Sequence, residues 1–179
     1  QGPLLVFLHG TASSTESSFG KLWDAANAAG GRLRAALAPA YGDRAYALEH
    51  RTLSESPIAN ALALARRLPD GAEVHLVSHS RGGLVGELLA LSGCAGLAEV
   101  LTPERLRTLF AADRTLAPQL GLAPLADAEA KARDDAYAAD RQRLLELVAL
   151  LAGKKLRVAR FVRVACPARG TTLASGRLD

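Results

Sequence analysis

Ser80 stands where an apolar run of the β-strand type passes directly into a helix-forming stretch. Residues 74–77 are mainly apolar, Gly82 and Gly83 follow the serine, and residues 84–91 are again mainly apolar. A serine on a tight strand-to-helix turn has its hydroxyl raised above the carboxyl edge of the sheet, where a substrate can reach it. The pattern predicts an α/β fold with Ser80 as a candidate nucleophile.

A second apolar run, at residues 4–9, ends in His9 and Gly10 and is followed by a small polar loop that begins with Thr11 and Ala12. Neither this run nor residues 74–77 alternates with polar side chains, as expected of parallel strands that are covered on both faces. The sequence therefore contains two buried strands, and each ends in a short loop that can carry chemistry.

Together these motifs resemble the α/β-hydrolase superfamily, and within it domains of the lipase/esterase type. The family pattern is Gly-x-Ser-x-Gly; here Ser78 occupies the first glycine position and Gly82 keeps the second. The resemblance covers most of residues 3–92 and resumes at 155–176. It extends to lipase-like domains of large bacterial proteins, some of which also carry a protease domain of the CHAT type.

The resemblance implies a role for each matching residue. Ser80 would be the nucleophile of an acyl-enzyme, and the backbone N–H groups of Arg81 and of Thr11 or Ala12 would form the oxyanion hole. The substrate would be a small ester or a lipid, with no cofactor and no metal. The remaining residues are assigned to the pocket or its framework: His9, Gly10, His79, Gly82, Gly83, Gly170 and Thr171.

The order of elements predicts a single domain over residues 1–179. It is a three-layer α/β/α fold with a mainly parallel sheet, because strands and helices alternate along the chain. We expect four strands, near residues 4–9, 44–49, 73–79 and 156–165, and the resemblance to α/β-hydrolases implies the spatial order second, first, elbow, last. Residues 93–153 are expected to form a helical insertion after the nucleophile helix. The insertion either forms a cap over the site or packs against the sheet in the ordinary way, and a protein partner could bind to it.

The base that must take the Ser80 proton is the difficulty. The family order is serine, acid, histidine, but no histidine follows His79 in this chain. The side chain of His79 is expected on the opposite face, His75 lies too far back along the strand, and His50 lies two strand spacings away. His50, with Arg51 and Thr52, either lines the pocket mouth or belongs to an exposed loop. The economical expectation is that the chain is truncated before the last strands, with the acid and the histidine beyond Asp179.

The composition of the chain argues against nucleic-acid binding and against a membrane-spanning segment. The net charge of +4 is modest, and no aromatic residues are interleaved with basic ones, so nucleic-acid binding is not expected. Cys94 and Cys166 are isolated and are expected to be buried free thiols in a reducing, cytoplasmic compartment. No apolar run is long enough to span a membrane. The second hypothesis is a non-catalytic hydrolase-like module used for binding or scaffolding.

Overall fold

The computed structural model describes residues 2–119 and 125–167, and for residues 112–119 it describes the backbone alone. Strands and helices alternate from the first element onward. In chain order they are β1 (Leu4–Leu8), α1 (Thr15–Trp23), α2 (Ala28–Tyr41), β2 (Ala45–Leu48), α3 (Pro57–Arg67), β3 (Glu73–His79), α4 (Gly82–Ala90), a 3-10 turn (Leu91–Gly93), α5 (Leu97–Val100), α6 (Pro103–Gln119), α7 (Asp127–Lys154) and β4 (Arg157–Val164).

The four strands form one parallel sheet in the order β2-β1-β3-β4. The predicted α/β class and the predicted strand order are both confirmed. Helices α3, α4 and α7 bury one face of the sheet in the larger apolar cluster, whereas α1 and α2 pack on the other face around Phe7 and Tyr41. Because the strands are parallel, their carboxyl ends meet at a single edge, where β1 and β3 deliver His9 and Ser80.

Helix α4 lies unusually close to the sheet because two of its glycines leave no room for a side chain. A Cβ on Gly82 would overlap the Leu8 carbonyl oxygen and lie 2.7 Å from that of His9. A Cβ on Gly86 would likewise collide with the ring of Phe161 from β4. The prediction of close packing thus holds for Gly82, and Gly86 adds a contact that the sequence analysis did not identify.

The first two helices differ from the sequence-based expectation. The sequence pattern favours a helix near residues 19–28 that is broken at Gly30 and Gly31, but α1 already ends at Trp23 and α2 contains both glycines. The Asn27 side chain accepts hydrogen bonds from the N–H groups of Ala29 and Gly30, so a new helix starts there. A Cβ on Gly30 would lie 2.5 Å from the Lys21 carbonyl oxygen, so this glycine permits close packing of the two helices.

Strand β4 also corrects a prediction. The sequence pattern assigned Val158, Val162 and Val164 to one face, but the pairing with β3 contains a register shift after Val158. An extra residue in one strand moves every following side chain to the opposite face. Phe161 consequently packs on the main core, whereas Val162 and Val164 are about half exposed on the α1–α2 side.

Within residues 93–119 and 125–153 the chain is mainly helical, and α6 extends to Gln119, whereas the sequence pattern favours an end near residue 111. Residues 111–117 contain no glycine or asparagine, and alanine, arginine and leucine favour helix continuation. The C-terminal half of α7 packs in the main core through Leu144, Leu147 and Val148. That half packs against α3, and Leu106 of α6 also lies in the main core, so the part of the segment left open to a cap role is the amino-terminal half of α7.

The two cysteines are free but not both buried. Cys94 is exposed, contrary to prediction, because it follows the 3-10 turn at the surface; Cys166 is partly buried after β4. Among the described residues, no helix is both long and apolar enough to cross a membrane.

Candidate active site

Ser80 occupies the turn between β3 and α4 with a backbone conformation that a serine rarely adopts. Its φ is 51°, in the left-handed region, where an L-residue is strained by roughly 1–2 kcal/mol. The Ser80 N–H donates to the Val164 carbonyl at 2.9 Å, and the Ser80 carbonyl accepts from the Gly83 N–H at 3.0 Å. These two bonds hold the strained turn between β4 and the first turn of α4.

Small residues surround the turn on every side. A Cβ on Gly10 would lie 2.9 Å from the Ser80 Cβ, and a Cβ on Gly83 would lie 2.6 Å from that of Cys166. Ser78 is fully buried, with its hydroxyl 3.2 Å from the Cys166 Sγ. The loop after β1 therefore passes directly against the elbow, and larger residues at these positions would force the elements apart.

Of the three N–H groups predicted as oxyanion donors, those of Arg81 and Thr11 have no hydrogen-bond partner within residues 2–119 and 125–167. The Ala12 N–H, the other predicted oxyanion donor, donates to the Thr52 hydroxyl at 2.9 Å. Of the two alternatives for the second donor, the geometry favours Thr11. Arg81 immediately precedes α4, whose amino end carries partial positive charge and favours a developing anion.

The segment 50–55, which follows β2, is tied to both loops of the site. The buried Thr52 accepts from Ala12, and the Arg81 guanidinium donates to the Glu55 carbonyl at 2.8 Å. The Arg81 side chain thus contacts the protein's own backbone. No short-range sequence signal identifies Thr52 or Glu55, because both contacts join segments far apart in the chain.

His9 is fully buried beneath the loop after β1. Its Nδ1 donates to the Gly10 carbonyl at 3.0 Å, and its Nε2 lies 3.2 Å from the His50 N–H and 2.9 Å from the Glu49 carboxylate. Burial opposes ionisation of Glu49, but the Thr15 N–H and the two neighbouring histidines together bring the pKa of its carboxyl below the ordinary value. His9 is therefore a framework residue that joins the ends of β1 and β2.

His50 differs from His9 in having an unused nitrogen. Its ring stacks on that of His9 with centroids 4.1 Å apart, and its Nδ1 donates to the Leu48 carbonyl at 3.1 Å. Its Nε2 is buried and has no hydrogen-bond partner among the described residues. Burial is the largest cause that lowers the pKa of His50, and His9 and Arg81 lower it further, against the opposing effects of the Leu48 carbonyl and the Glu49 carboxylate. The ring is therefore neutral near pH 7, with its free lone pair on Nε2.

The other two histidines are already engaged. His75 accepts from the Tyr41 hydroxyl at 2.7 Å and donates to Glu73 at 3.1 Å, so both of its ring nitrogens are satisfied. His79 lies on the α1–α2 side of the sheet, with its Nδ1 3.4 Å from the Ser18 hydroxyl. The same Nδ1 lies 3.2 Å from the point that a Cβ on Gly10 would occupy, so His79 flanks the loop that Ser80 also touches.

An apolar groove of about 620 Å³ runs along that side of the sheet. Phe7, Val77 and Val164 line it from the strands, and Leu33 lines it from α2. Ser18 and His79 supply polar atoms at its wall. Grooves of this volume and polarity accommodate small apolar ligands.

The predicted pocket residues Gly170 and Thr171 lie outside the described residues. Within residues 2–119 and 125–167, no three side chains of histidine, cysteine, aspartate or glutamate are grouped so that they could hold a metal ion.

Acidification below pH 6.5 should lower the free energy of unfolding, partly through His50. In the unfolded chain a histidine binds its proton near pH 6.5, but folded His50 binds it only at a lower pH. Just below pH 6.5 the unfolded state therefore binds more protons than the folded state, so the free energy of unfolding decreases as the pH is lowered. Urea unfolding at pH 7.5, 6.5 and 5.5 measures the slope, which should be smaller in the His50→Gln variant. If the free energy of unfolding depended equally on pH in both proteins, the pKa of folded His50 would not be lowered.

Comparison with known families gives one match. Residues 1–124, more than two thirds of the chain, match the family described as "Domain of unknown function (DUF7379)". The chain therefore belongs to that family. The matched range contains Ser80, Arg81, Thr11 and His50, but not β4. No curated protein and no solved structure matches the chain.

Proposed function

We propose that this member of the DUF7379 family is a serine hydrolase of the esterase or lipase type, acting through an acyl-enzyme on Ser80. The observation that carries the proposal is the left-handed backbone of Ser80 at a strand-to-helix turn. Strain of this kind persists only where surrounding structure enforces it, and it is concentrated at active sites. The likeness to α/β-hydrolases in motif order adds to this support.

In the proposed reaction the Ser80 Oγ attacks the carbonyl carbon of an ester while a base removes its proton. The carbonyl oxygen becomes an oxyanion that accepts hydrogen bonds from the N–H groups of Arg81 and Thr11, each worth about 3–4 kcal/mol at the transition state. Collapse of the tetrahedral intermediate breaks the C–O bond, and the alcohol leaves with the proton. Water then releases the acid from Ser80 by the same steps.

The proposal extends to the substrate class. The apolar groove beside His79 suits the hydrocarbon part of an ester, and the free N–H groups at the sheet edge suit its carbonyl. We therefore propose an uncharged ester with an apolar acyl or alcohol group, bound without a metal or another cofactor.

The amino-terminal half of α7 is proposed to cover one side of this site. The Ser56 hydroxyl, at the start of α3, donates to Asp140 at 2.8 Å, so residue 140 is level with the carboxyl edge of the sheet. At 1.5 Å per residue, the thirteen preceding residues of α7 add about 20 Å beyond that level. This projecting half, packed against α6 through Phe110 and Tyr137, is the part of residues 93–153 open to a partner.

Labelling with a fluorophosphonate probe tests the function. The probe reacts with activated serines, so we expect covalent labelling of the wild-type protein and none of Ser80→Ala. Ser54→Ala, which changes an exposed serine in the segment after β2, is the matched control and should retain labelling. If the wild-type protein is not labelled, the alternative of a non-catalytic binding or scaffolding module is favoured instead.

A further inference from the structure

We propose that His50 is the general base for Ser80, so that this chain supplies its own base from the end of β2. The inference rests on the proposed function of Ser80 and adds the residue that accepts its proton. A serine hydrolase of the usual order takes its histidine from a late loop, whereas here the base would precede the nucleophile in the chain.

The first argument is chemical. His50 Nδ1 donates to the Leu48 carbonyl, so in the neutral ring Nε2 carries the lone pair. That atom is buried and has no partner among the described residues. A buried acceptor without a partner costs about 1–3 kcal/mol, so it calls for an explanation. A lone pair held ready for a proton provides one, and the Leu48 carbonyl orients the ring as the acid does in a triad.

The register of the sheet places His50 and Ser80 at the same edge. Leu8 pairs with Leu48 on one side and with Ser78 on the other. His50 and Ser80 are each two residues past these pairs, so they flank Gly10 at the same edge of the sheet. Two strand spacings separate their backbones by about 10 Å. A serine side chain, one hydrogen bond and a histidine side chain laid end to end cover about this span.

Hydrogen bonds between neighbouring loops fix the backbone around His50 and Ser80. Gly10 lies between them in the register of the sheet, and the point that a Cβ on Gly10 would occupy is 2.9 Å from the Ser80 Cβ and 3.2 Å from His79 Nδ1. Segment 50–55 is fixed to the neighbouring loop by the Thr52–Ala12 bond and to the elbow by the Arg81–Glu55 bond. The Ser80 hydroxyl, like His50 Nε2, has no partner within the described part of the chain. In unliganded enzymes catalytic hydrogen bonds are often long and tighten only with substrate.

His79 is the competing base, since it also flanks Gly10. Its Nδ1 lies 3.4 Å from the Ser18 hydroxyl, and its ring lies on the groove side of the sheet. A partly engaged nitrogen is less available than a free one, so the structure favours His50.

In the proton-transfer step, Nε2 of His50 takes the Ser80 proton as the Oγ–carbon bond forms, and returns it to the leaving alcohol as the C–O bond breaks. With a fluorophosphonate, the Oγ–P bond forms, the P–F bond breaks, and fluoride leaves with the proton. Because burial keeps the ring neutral, it is ready to act as a base at neutral pH.

The rate of fluorophosphonate labelling tests this assignment. We expect His50→Gln to label at least 100-fold more slowly than wild type, within the range for loss of a general base. His79→Gln should lose less than tenfold. Added imidazole should partly restore the rate of His50→Gly, which a merely structural role would not allow. Urea unfolding at pH 7.5 confirms that each variant is folded.

The wild-type pH profile tests the proposal without any variant. Its labelling rate should be constant above pH 6.5 and fall at lower pH, as His50 gains its proton. The assignment of His50 as the base would be overturned if His50→Gln were labelled within threefold of the wild-type rate, or if His79→Gln were not labelled at all. Either result would leave Ser80 as the nucleophile. Absence of wild-type labelling would instead overturn the proposed function, and the His50 assignment with it.

Discussion

Replacing Gly82 with alanine is expected to lower the free energy of unfolding by about 3 kcal/mol or more. The new methyl group would overlap the Leu8 carbonyl oxygen and approach that of His9 to 2.7 Å. Both neighbours are backbone atoms of the central strand and its loop, so neither can move aside by a side-chain rotation. Helix α4 would have to shift away from β1, which also displaces the Arg81 N–H. Urea unfolding at pH 7.5 measures the loss.

The matched control is Gly153→Ala. This exposed glycine lies in the last turn of α7, and a Cβ there would have nothing within 4 Å. Alanine is the better helix former, so the variant should be stabilised by about 0.5–1 kcal/mol. The same substitution is thus expected to change stability in opposite directions at the two sites. A Gly82→Ala protein as stable as wild type would show that α4 does not contact β1 as described.

Replacing Ser80 with glycine is expected to abolish fluorophosphonate labelling while raising the free energy of unfolding by about 1 kcal/mol. Glycine adopts a φ of 51° without steric cost, whereas serine does not. Ser80→Ala removes the hydroxyl but keeps the Cβ and its strain, so it should lose labelling without the gain in stability. Parallel labelling and urea unfolding of the two variants separate the hydroxyl from the backbone.

Lys155→Gly provides the control for strain without function. Lys155 ends α7 with a φ of 53°, far along the chain from the site, and its replacement should stabilise the protein by a similar amount. Its labelling should equal that of wild type. If Ser80→Gly were less stable than Ser80→Ala, the strained turn on which the account rests would not exist.

The central strands and the elbow could be predicted because their signals are local. Uninterrupted apolar runs mark β1 and β3, and glycines beside Ser80 mark a close turn between strand and helix. The sheet order came from the resemblance to α/β-hydrolases, because right-handed crossovers alone leave more than one order of four strands possible. The boundary between α1 and α2 also had a local signal, the capping residue Asn27, but two glycines suggested a break instead. The bulge that turns Phe161 into the core had none, because it depends on the pairing partner.

The site divides in the same way. The sequence signals that identify Ser80, Gly10 and Gly82 come from adjacent residues, so these three positions could be assigned to the turn from the sequence. The alternative between Thr11 and Ala12 as oxyanion donor could not be decided from sequence, because it depends on the Thr52 hydroxyl, forty residues along the chain. The unpaired nitrogen of His50 likewise results from long-range packing. Strand spacing alone had made that histidine look too distant to matter.

The most direct test of the account is to locate the fluorophosphonate adduct by mass spectrometry. Trypsin should release residues 68–81 as one peptide, which contains both Ser78 and Ser80. Fragmentation of this peptide distinguishes Ser80, in the partly buried turn, from the fully buried Ser78 two residues earlier. We predict that the adduct is on Ser80. An adduct on any other serine, or an unmodified peptide from fully folded wild-type protein, would contradict the account.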